Sequence, residues 1–131
     1  MKYYVGIDLG GTNIKAGVVD EQGSLICKSS IKTRTERAQI DIIRDMGLLA
    51  KQVAQDAGVP AGDILAIGIG APGTPNNVAG TLIYANNLPF DDAPMRQVIH
   101  TVYDLPVYID NDANVAALAE SVAGAARSTR H

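Results

Sequence analysis

Gly6-Ile7-Asp8-Leu9-Gly10-Gly11-Thr12-Asn13-Ile14-Lys15-Ala16-Gly17-Val18-Val19-Asp20 sets two adjacent glycines directly between two apolar, strand-like segments. Tyr3 to Leu9 and Ile14 to Val19 read as the two strands, and Leu25 to Ile31 reads as a third. Between the second and third, Asp20-Glu21-Gln22-Gly23 has the composition of a hairpin turn, with Gly23 free to take positive φ. Three consecutive antiparallel strands are the expected start of the fold.

A tight glycine turn lets neighbouring backbone amides point into one concavity, which binds phosphate oxygens without a cationic side chain. Gly10 and Gly11 meet that need, Thr12 and Asn13 add side-chain donors, and Lys15 can add charge. Asp8, at the strand end, can hold the water shell of a phosphate-bound Mg²⁺, an ion that keeps most of its waters. The same glycines also suit a plain strand–turn–strand hairpin, so the dipeptide alone does not decide between the two. The segment lacks Gly-Lys-Ser/Thr and leads into a strand, which excludes a Walker A loop and the dinucleotide fingerprint.

Outward from this stretch, Ile42, Ile43, Met46, Leu49, Val53 and Ala57 recur at three- and four-residue spacing. They predict one amphipathic helix over roughly 36–57, stopped by Gly58 and Pro60. Ile64 to Ala71 is a near-continuous apolar run, as in a strand covered on both faces. Pro72-Gly73-Thr74-Pro75-Asn76-Asn77 cannot continue it. A second helix is expected from about Ala93 to Tyr103, with Asp92 as cap and Pro94 in its first turn. Val107-Tyr108-Ile109 is a short strand leading through Asp110-Asn111-Asp112 into an alanine-rich helix from Ala113 to about Ala126. Right-handed crossovers then make the last two strands parallel to the first. The predicted class is α/β: a mixed five-stranded sheet, antiparallel over its first three strands and parallel thereafter, with helices on both faces.

Composition narrows the function. The 131 residues carry 11 Lys plus Arg against 14 Asp plus Glu, leaving no basic surplus of the kind nucleic acid or an anionic membrane selects. Small-molecule ligands are therefore expected, with neither nucleic-acid nor membrane partners. Cys27 is alone, which excludes an internal disulfide and marks it as a strand residue. No signal-peptide core or membrane-length apolar run occurs, so a cytoplasmic protein is expected. His100 reads as a surface residue and His131 as a structural or tag-like terminus.

Two further segments can carry chemistry. At the Asp110-Asn111-Asp112-Ala113-Asn114 junction a carboxylate can accept a proton from a hydroxyl, favoured in its ionised form by the helix N-terminus, or it can serve as an N-cap. Gly68-Ile69-Gly70-Ala71-Pro72-Gly73 and Asn86-Asn87-Leu88-Pro89 lie at strand ends. Their small residues permit close approach and the asparagines offer donor and acceptor together, or both are ordinary turns.

With these residues assembled, the chain resembles the ROK family of repressors, open reading frames and kinases, in the actin-like or ribonuclease-H-like ATPase superfamily. Gly6 to Asp20 looks like the family's first phosphate motif, Gly70-Ala71-Pro72-Gly73 its sugar-side loop, and Asn86-Asn87-Leu88-Pro89 its next sugar-contacting segment. Asn111-Asp112-Ala113-Asn114 with Ala117-Leu118-Ala119-Glu120 looks like its catalytic segment. The resemblance implies Asp112 as general base, Asn111 and Asn87 on other sugar hydroxyls, and Gly73 against the sugar. It places Gly10, Gly11, Thr12 and Lys15 at the ATP phosphates and Asp8 facing Mg²⁺.

The implied whole is an ATP-dependent sugar kinase, glucose being the best single substrate, with residues 1–131 its N-terminal lobe. Family kinases continue into a second lobe with a Glu-x-Gly-His sugar motif, a structural zinc site and the adenine pocket, none of them encoded here. The chain alone is thus expected to lack appreciable kinase activity, and its uncovered face to drive homodimerisation or lobe swapping. Two other readings stand beside this one. A sugar-sensing regulator would require a winged helix before Met1, and a non-catalytic module would bind sugar or a partner without chemistry.

Overall fold

β1 (Tyr3–Leu9), β2 (Asn13–Asp20) and β3 (Leu25–Lys32) form the expected antiparallel meander in a computed structural model that describes residues 1–76, 78–84 and 90–110. Asp20 fastens the β2–β3 turn by accepting from the N–H groups of Gln22 and Ser24, each at 2.9 Å, while Gly23 takes φ 84°. β4 (Ile64–Gly70) joins β1 in parallel and β8 (Val107–Asp110) joins β4 in parallel, giving the order β3-β2-β1-β4-β8. Both added strands are therefore parallel to β1, as the sequence leads one to expect.

Helix α1 (Gln39–Asp56) buries Ile42, Ile43, Met46, Leu49 and Val53 against β1, β2 and β3. Strand residues alternate between the two sides of a sheet, so Val5, Ile7, Leu9, Ile14, Ala16, Val18, Ile67, Ile69, Val107 and Ile109 all reach this one core. Each fully buried aliphatic side chain there contributes about 2 kcal/mol. α2 (Met95–Val102) adds Met95, Val98 and Ile99 and packs on α1 at Gly47, where a Cβ would collide with Val102. Cys27 is a strand residue as expected, its Sγ 3.2 Å from the Val53 carbonyl.

The opposite side of the sheet differs. It carries a small cluster of Tyr4, Val19 and Ala66, then Gly17, Gly6 and Gly68 side by side in register. The alanine-rich segment from Ala113 to Ala126 lies outside the described residues, and both described helices pack on each other on the main-core side.

Three local expectations are corrected, and one sheet is added. α1 begins at Gln39, not 36, because residues 33–38 turn beside the phosphate loop, with Arg34 at φ 58°. The apolar run does stop before Pro72, as expected, and beyond it β5 (Thr74–Asn76), β6 (Thr81–Tyr84) and β7 (Asp91–Ala93) form a separate antiparallel sheet that the sequence reading did not include. Since Asp92 belongs to β7, it does not cap α2, and Pro94 takes the N-cap position with no side-chain cap. His100 is half-buried, donating from Nε2 to the Leu105 carbonyl at 2.8 Å and closing the turn after α2. Among the described residues no helix is long and apolar enough to cross a membrane.

Candidate functional site

On the glycine-lined side of the sheet, the next row toward the strand ends is Lys15, Asp8, Gly70 and Asp110. Cα pairing sets Lys15 opposite Asp8, Asp8 opposite Gly70, and Gly70 opposite Asp110. Strand alternation puts all four on one face, because Lys15, Asp8 and Gly70 each lie two positions from a glycine of that row and Asp110 two positions from Tyr108, which pairs with Gly68. A cation, two carboxylates and a gap without a side chain thus line one edge. Desolvation by the surrounding protein pushes the Asp8 carboxyl above its usual range, and the charge of Lys15 pulls it partly back.

Beyond this row the β1–β2 turn closes with the Gly10 N–H donating to the Asn13 carbonyl at 3.0 Å. Gly11 and Thr12 are exposed at its tip. A Cβ on Gly10 would come within 2.9 Å of the Asn13 carbonyl oxygen, so the turn needs glycine there for space. Behind the turn stands Thr33, wholly buried. Its hydroxyl donates to the Gly10 carbonyl at 2.7 Å and its N–H to the Thr12 carbonyl at 2.9 Å.

The segment after β4 is tied to the same edge, the Ala71 N–H donating to the Asp110 carbonyl at 2.9 Å. Gly73 takes φ 154°, a value L side chains rarely adopt. From α2, Arg96 reaches the Val107 carbonyl with Nη2 at 3.1 Å and the Val78 carbonyl with Nη1 at 3.4 Å, and its N–H donates to Gly80 at 2.9 Å. It holds the β5–β6 hairpin to β8.

The structure thus brings Asp8, Gly10, Gly11, Thr12, Asn13 and Lys15 together at the end of β1 and start of β2, and places Gly73 after β4. Asn87, Asn111 and Asp112 lie outside the described residues; Asp110, the described residue preceding Asn111, ends β8 in the row with Asp8. Sequence reasoning did not single out Thr33 or Arg96. No pattern signals them, since their partners are 23 and 11 residues away. Asp110 had a usable signal, its strand parity with Tyr108. A cavity of about 430 Å³ lined by Lys15, Gly17, Leu25, Lys28, Ser29 and Ser30 opens along β2 and β3. It extends away from Asp110, so it is not where a hydroxyl meeting that edge would sit.

Comparison with known proteins gives the family of the chain. The model of the ROK family matches residues 4–131. A glucokinase of Streptomyces coelicolor is 34% identical over 128 residues, which are 97% of this chain and 38% of that protein. The xylose repressor of Caldicellulosiruptor bescii is 35% identical over 117 residues, 88% of this chain and 29% of the repressor. Among solved structures, a ROK family glucokinase from Streptomyces griseus in complex with glucose and AMPPNP superposes with TM-score 0.73 at 31% identity, over 88% of this chain and 35% of that one. The chain therefore spans about two-fifths or less of the length of these relatives.

Proposed function

The chain belongs to the ROK family, and on that premise we propose that the protein of which it forms a part phosphorylates a hexose hydroxyl from ATP, in the manner of a glucokinase. The observation that carries this reading is the row Lys15–Asp8–Gly70–Asp110 at one sheet edge, directly below the glycine turn. Phosphoryl transfer asks a protein chiefly to position its two oxygens and neutralise charge. Gly10, by its lack of a side chain, the Gly11 amide, Thr12, Asn13 and Lys15 would receive the phosphates, the Gly10 N–H being taken by the Asn13 carbonyl.

Asp8 is half-buried, on the same face as Lys15, and no cluster of three or more metal-ligating side chains occurs among the described residues. That donor set suits Mg²⁺ held through its waters by one carboxylate, where it would neutralise charge on the nucleotide phosphates. Asp112, two residues beyond Asp110, would take the proton from the sugar hydroxyl. Asn111 and Asn87 would bind other hydroxyls, and Gly73 would lie against the ring. The other wall of both pockets is assigned to a second lobe, so residues 1–131 alone would have no appreciable turnover, and the uncovered face would favour a homodimer or lobe-swapped oligomer.

A coupled assay of ADP release by the full-length protein, across a panel of hexoses and amino sugars, tests the reading. Activity on at least one sugar is expected, as is its abolition by Asp112→Asn with sugar affinity retained. Loss of sugar binding in parallel with rate would make Asp112 a structural cap instead. The similarity to the xylose repressor supports a second reading, an inducer-binding regulator. That reading predicts sugar binding without ADP release and specific binding to operator DNA.

A further inference from the structure

Thr33 lies just past β3, outside the glycine turn, yet it bonds to that turn twice. Its two donors grip two carbonyls of the loop, Gly10 and Thr12, at 2.7 and 2.9 Å. A peptide unit is planar and trans, so a carbonyl aimed at Thr33 turns the following N–H the opposite way. The grip therefore orients the N–H groups of Gly11 and Asn13 away from Thr33. Aligned N–H groups are what an anion-binding turn requires.

Thr33 is itself held from behind. Its carbonyl accepts from Arg37 Nη2 at 2.9 Å, and Arg37 Nη1 pairs with Asp45 Oδ2 of α1 at 2.8 Å. The ion pair is largely shielded, Arg37 being 18% and Asp45 35% exposed at the side chain. Immediately after Thr33, Arg34 takes φ 58°, the one positive φ of a non-glycine residue among those described. A left-handed arginine is disfavoured by about 1–2 kcal/mol, and it persists here because the chain must reverse at once from β3 to return Arg37 to Thr33. Local strain, a buried hydroxyl and a shielded ion pair converge on one short segment.

We propose that Thr33 is a positioning residue for the phosphate loop, its hydroxyl and amide setting the Gly10 and Thr12 peptide planes and the Arg37–Asp45 pair anchoring it to α1. This rests on the phosphate-binding role proposed above for Gly10 to Asn13. Neither the side chain nor Arg37 touches the ligand in this account. Both act through the loop.

The test uses the full-length protein and two readouts, ADP–Mg²⁺ binding by calorimetry and steady-state constants for nucleotide and sugar. Thr33→Val keeps the shape and removes the donor from the Gly10 carbonyl. ADP–Mg²⁺ should then bind about tenfold more weakly, with a matching rise in nucleotide KM, as expected for an orphaned buried acceptor. Sugar affinity should stay within about twofold, and Thr33→Ser should restore both nucleotide constants. An unchanged ADP affinity, or equal weakening of sugar and nucleotide that Thr33→Ser fails to rescue, would overturn the proposal. If Thr33→Val does not fold, Arg37→Met provides the same test from behind the loop. It should weaken ADP–Mg²⁺ about threefold and spare the sugar, and no selective nucleotide effect would reject the inference. A wild type that binds ADP–Mg²⁺ but phosphorylates no sugar would defeat the kinase reading while leaving the role of Thr33 measurable.

Discussion

The β1–β2 turn and the β5–β6 hairpin flank the same sheet but are fastened differently. The first ends two strands paired over seven residues each and is gripped from behind by a fully buried threonine. The second belongs to a three-stranded sheet of strands three or four residues long and is held to β8 by one arginine reaching from α2. Short neutral hydrogen bonds from a buried strand end fix a backbone within tenths of an ångström. A long cationic side chain bonding at 3.1 and 3.4 Å allows more movement. In the proposed kinase, phosphate, an invariant ligand, would meet the more tightly fastened hairpin, and the sugar, a variable one, would lie on the side of the more loosely fastened one.

Asp8→Asn should produce the largest change and would sharpen the contrast by separating function from stability on the tightly fastened side. Loss of the carboxylate proposed to face Mg²⁺ should cut turnover by about 10²–10³-fold, the usual effect of removing one preorganised charge contact. Stability should move the other way. Burial raises the Asp8 pKa, so the folded protein binds this proton more tightly than the unfolded chain. The contribution is full in acid and is lost as pH rises through the raised pKa. Asn cannot ionise, so the variant should equal wild type in acid and exceed it at neutral pH. Urea midpoints from about pH 3 to 7 measure this, and a variant weaker at neutral pH would show that the Asp8–Lys15 attraction outweighs burial.

Arg96→Met comes next and tries the loosely fastened side. The aliphatic stem is kept, but the Val107 and Val78 carbonyls lose a charged donor, so unfolding stability should fall by about 2–3 kcal/mol. Sugar KM should rise while ADP–Mg²⁺ affinity holds. An equal loss for both ligands would mean the two hairpins are one unit, and the comparison fails.

How much of this was legible beforehand depends on the range of the forces involved. The meander, both parallel additions and α1 were legible because period-two and period-3.6 apolar patterns report burial residue by residue, as at Ile7, Leu9, Ile42 and Met46. The second sheet was not. Pro75, Asn76 and Gly80 have the chemistry of turns, and Asp91-Asp92-Ala93 lacks any strand preference. Pairing with β6 overrides those local signals. The start of α1 was misjudged because Arg37, helical by propensity, is taken up by Thr33 and Asp45. For the proposed site, Asp8 to Lys15 stood out as a glycine turn set directly between two strands, while Thr33 and Arg96 act on backbone carbonyls, which leave no mark on sequence pattern.

Gly80→Ala has a smaller expected effect and a built-in control. Gly80 sits at φ 72°, and a Cβ there would lie 2.6 Å from the Cβ of Arg96. Gly23 has a similar φ of 84° with nothing within 4 Å of the added carbon. Both substitutions carry the left-handed penalty of about 1–2 kcal/mol. Only Gly80→Ala also displaces Arg96, so it should cost about 1 kcal/mol more and raise sugar KM, whereas Gly23→Ala should leave both ligands alone. Equal destabilisation in thermal melts would mean that Arg96 shifts without consequence.

The smallest expected quantity is the coupling between the two fastenings. Thr33 bonds to Gly10 and Thr12, and Arg96 to Val78 and Val107, so the named contacts have no residue in common. Independent sites add within about 0.5 kcal/mol. Thr33→Val and Arg96→Met should therefore combine additively in unfolding free energy, nucleotide affinity and sugar affinity. One route could join them: Ala71 donates to Asp110, tying the segment after β4 to the strand whose first residue Arg96 holds. A coupling above about 1 kcal/mol that appears in ligand affinity but not in unfolding would place the two hairpins in one responsive unit. Coupling confined to unfolding would instead report a shared core, and the division into a tightly and a loosely fastened hairpin would stand.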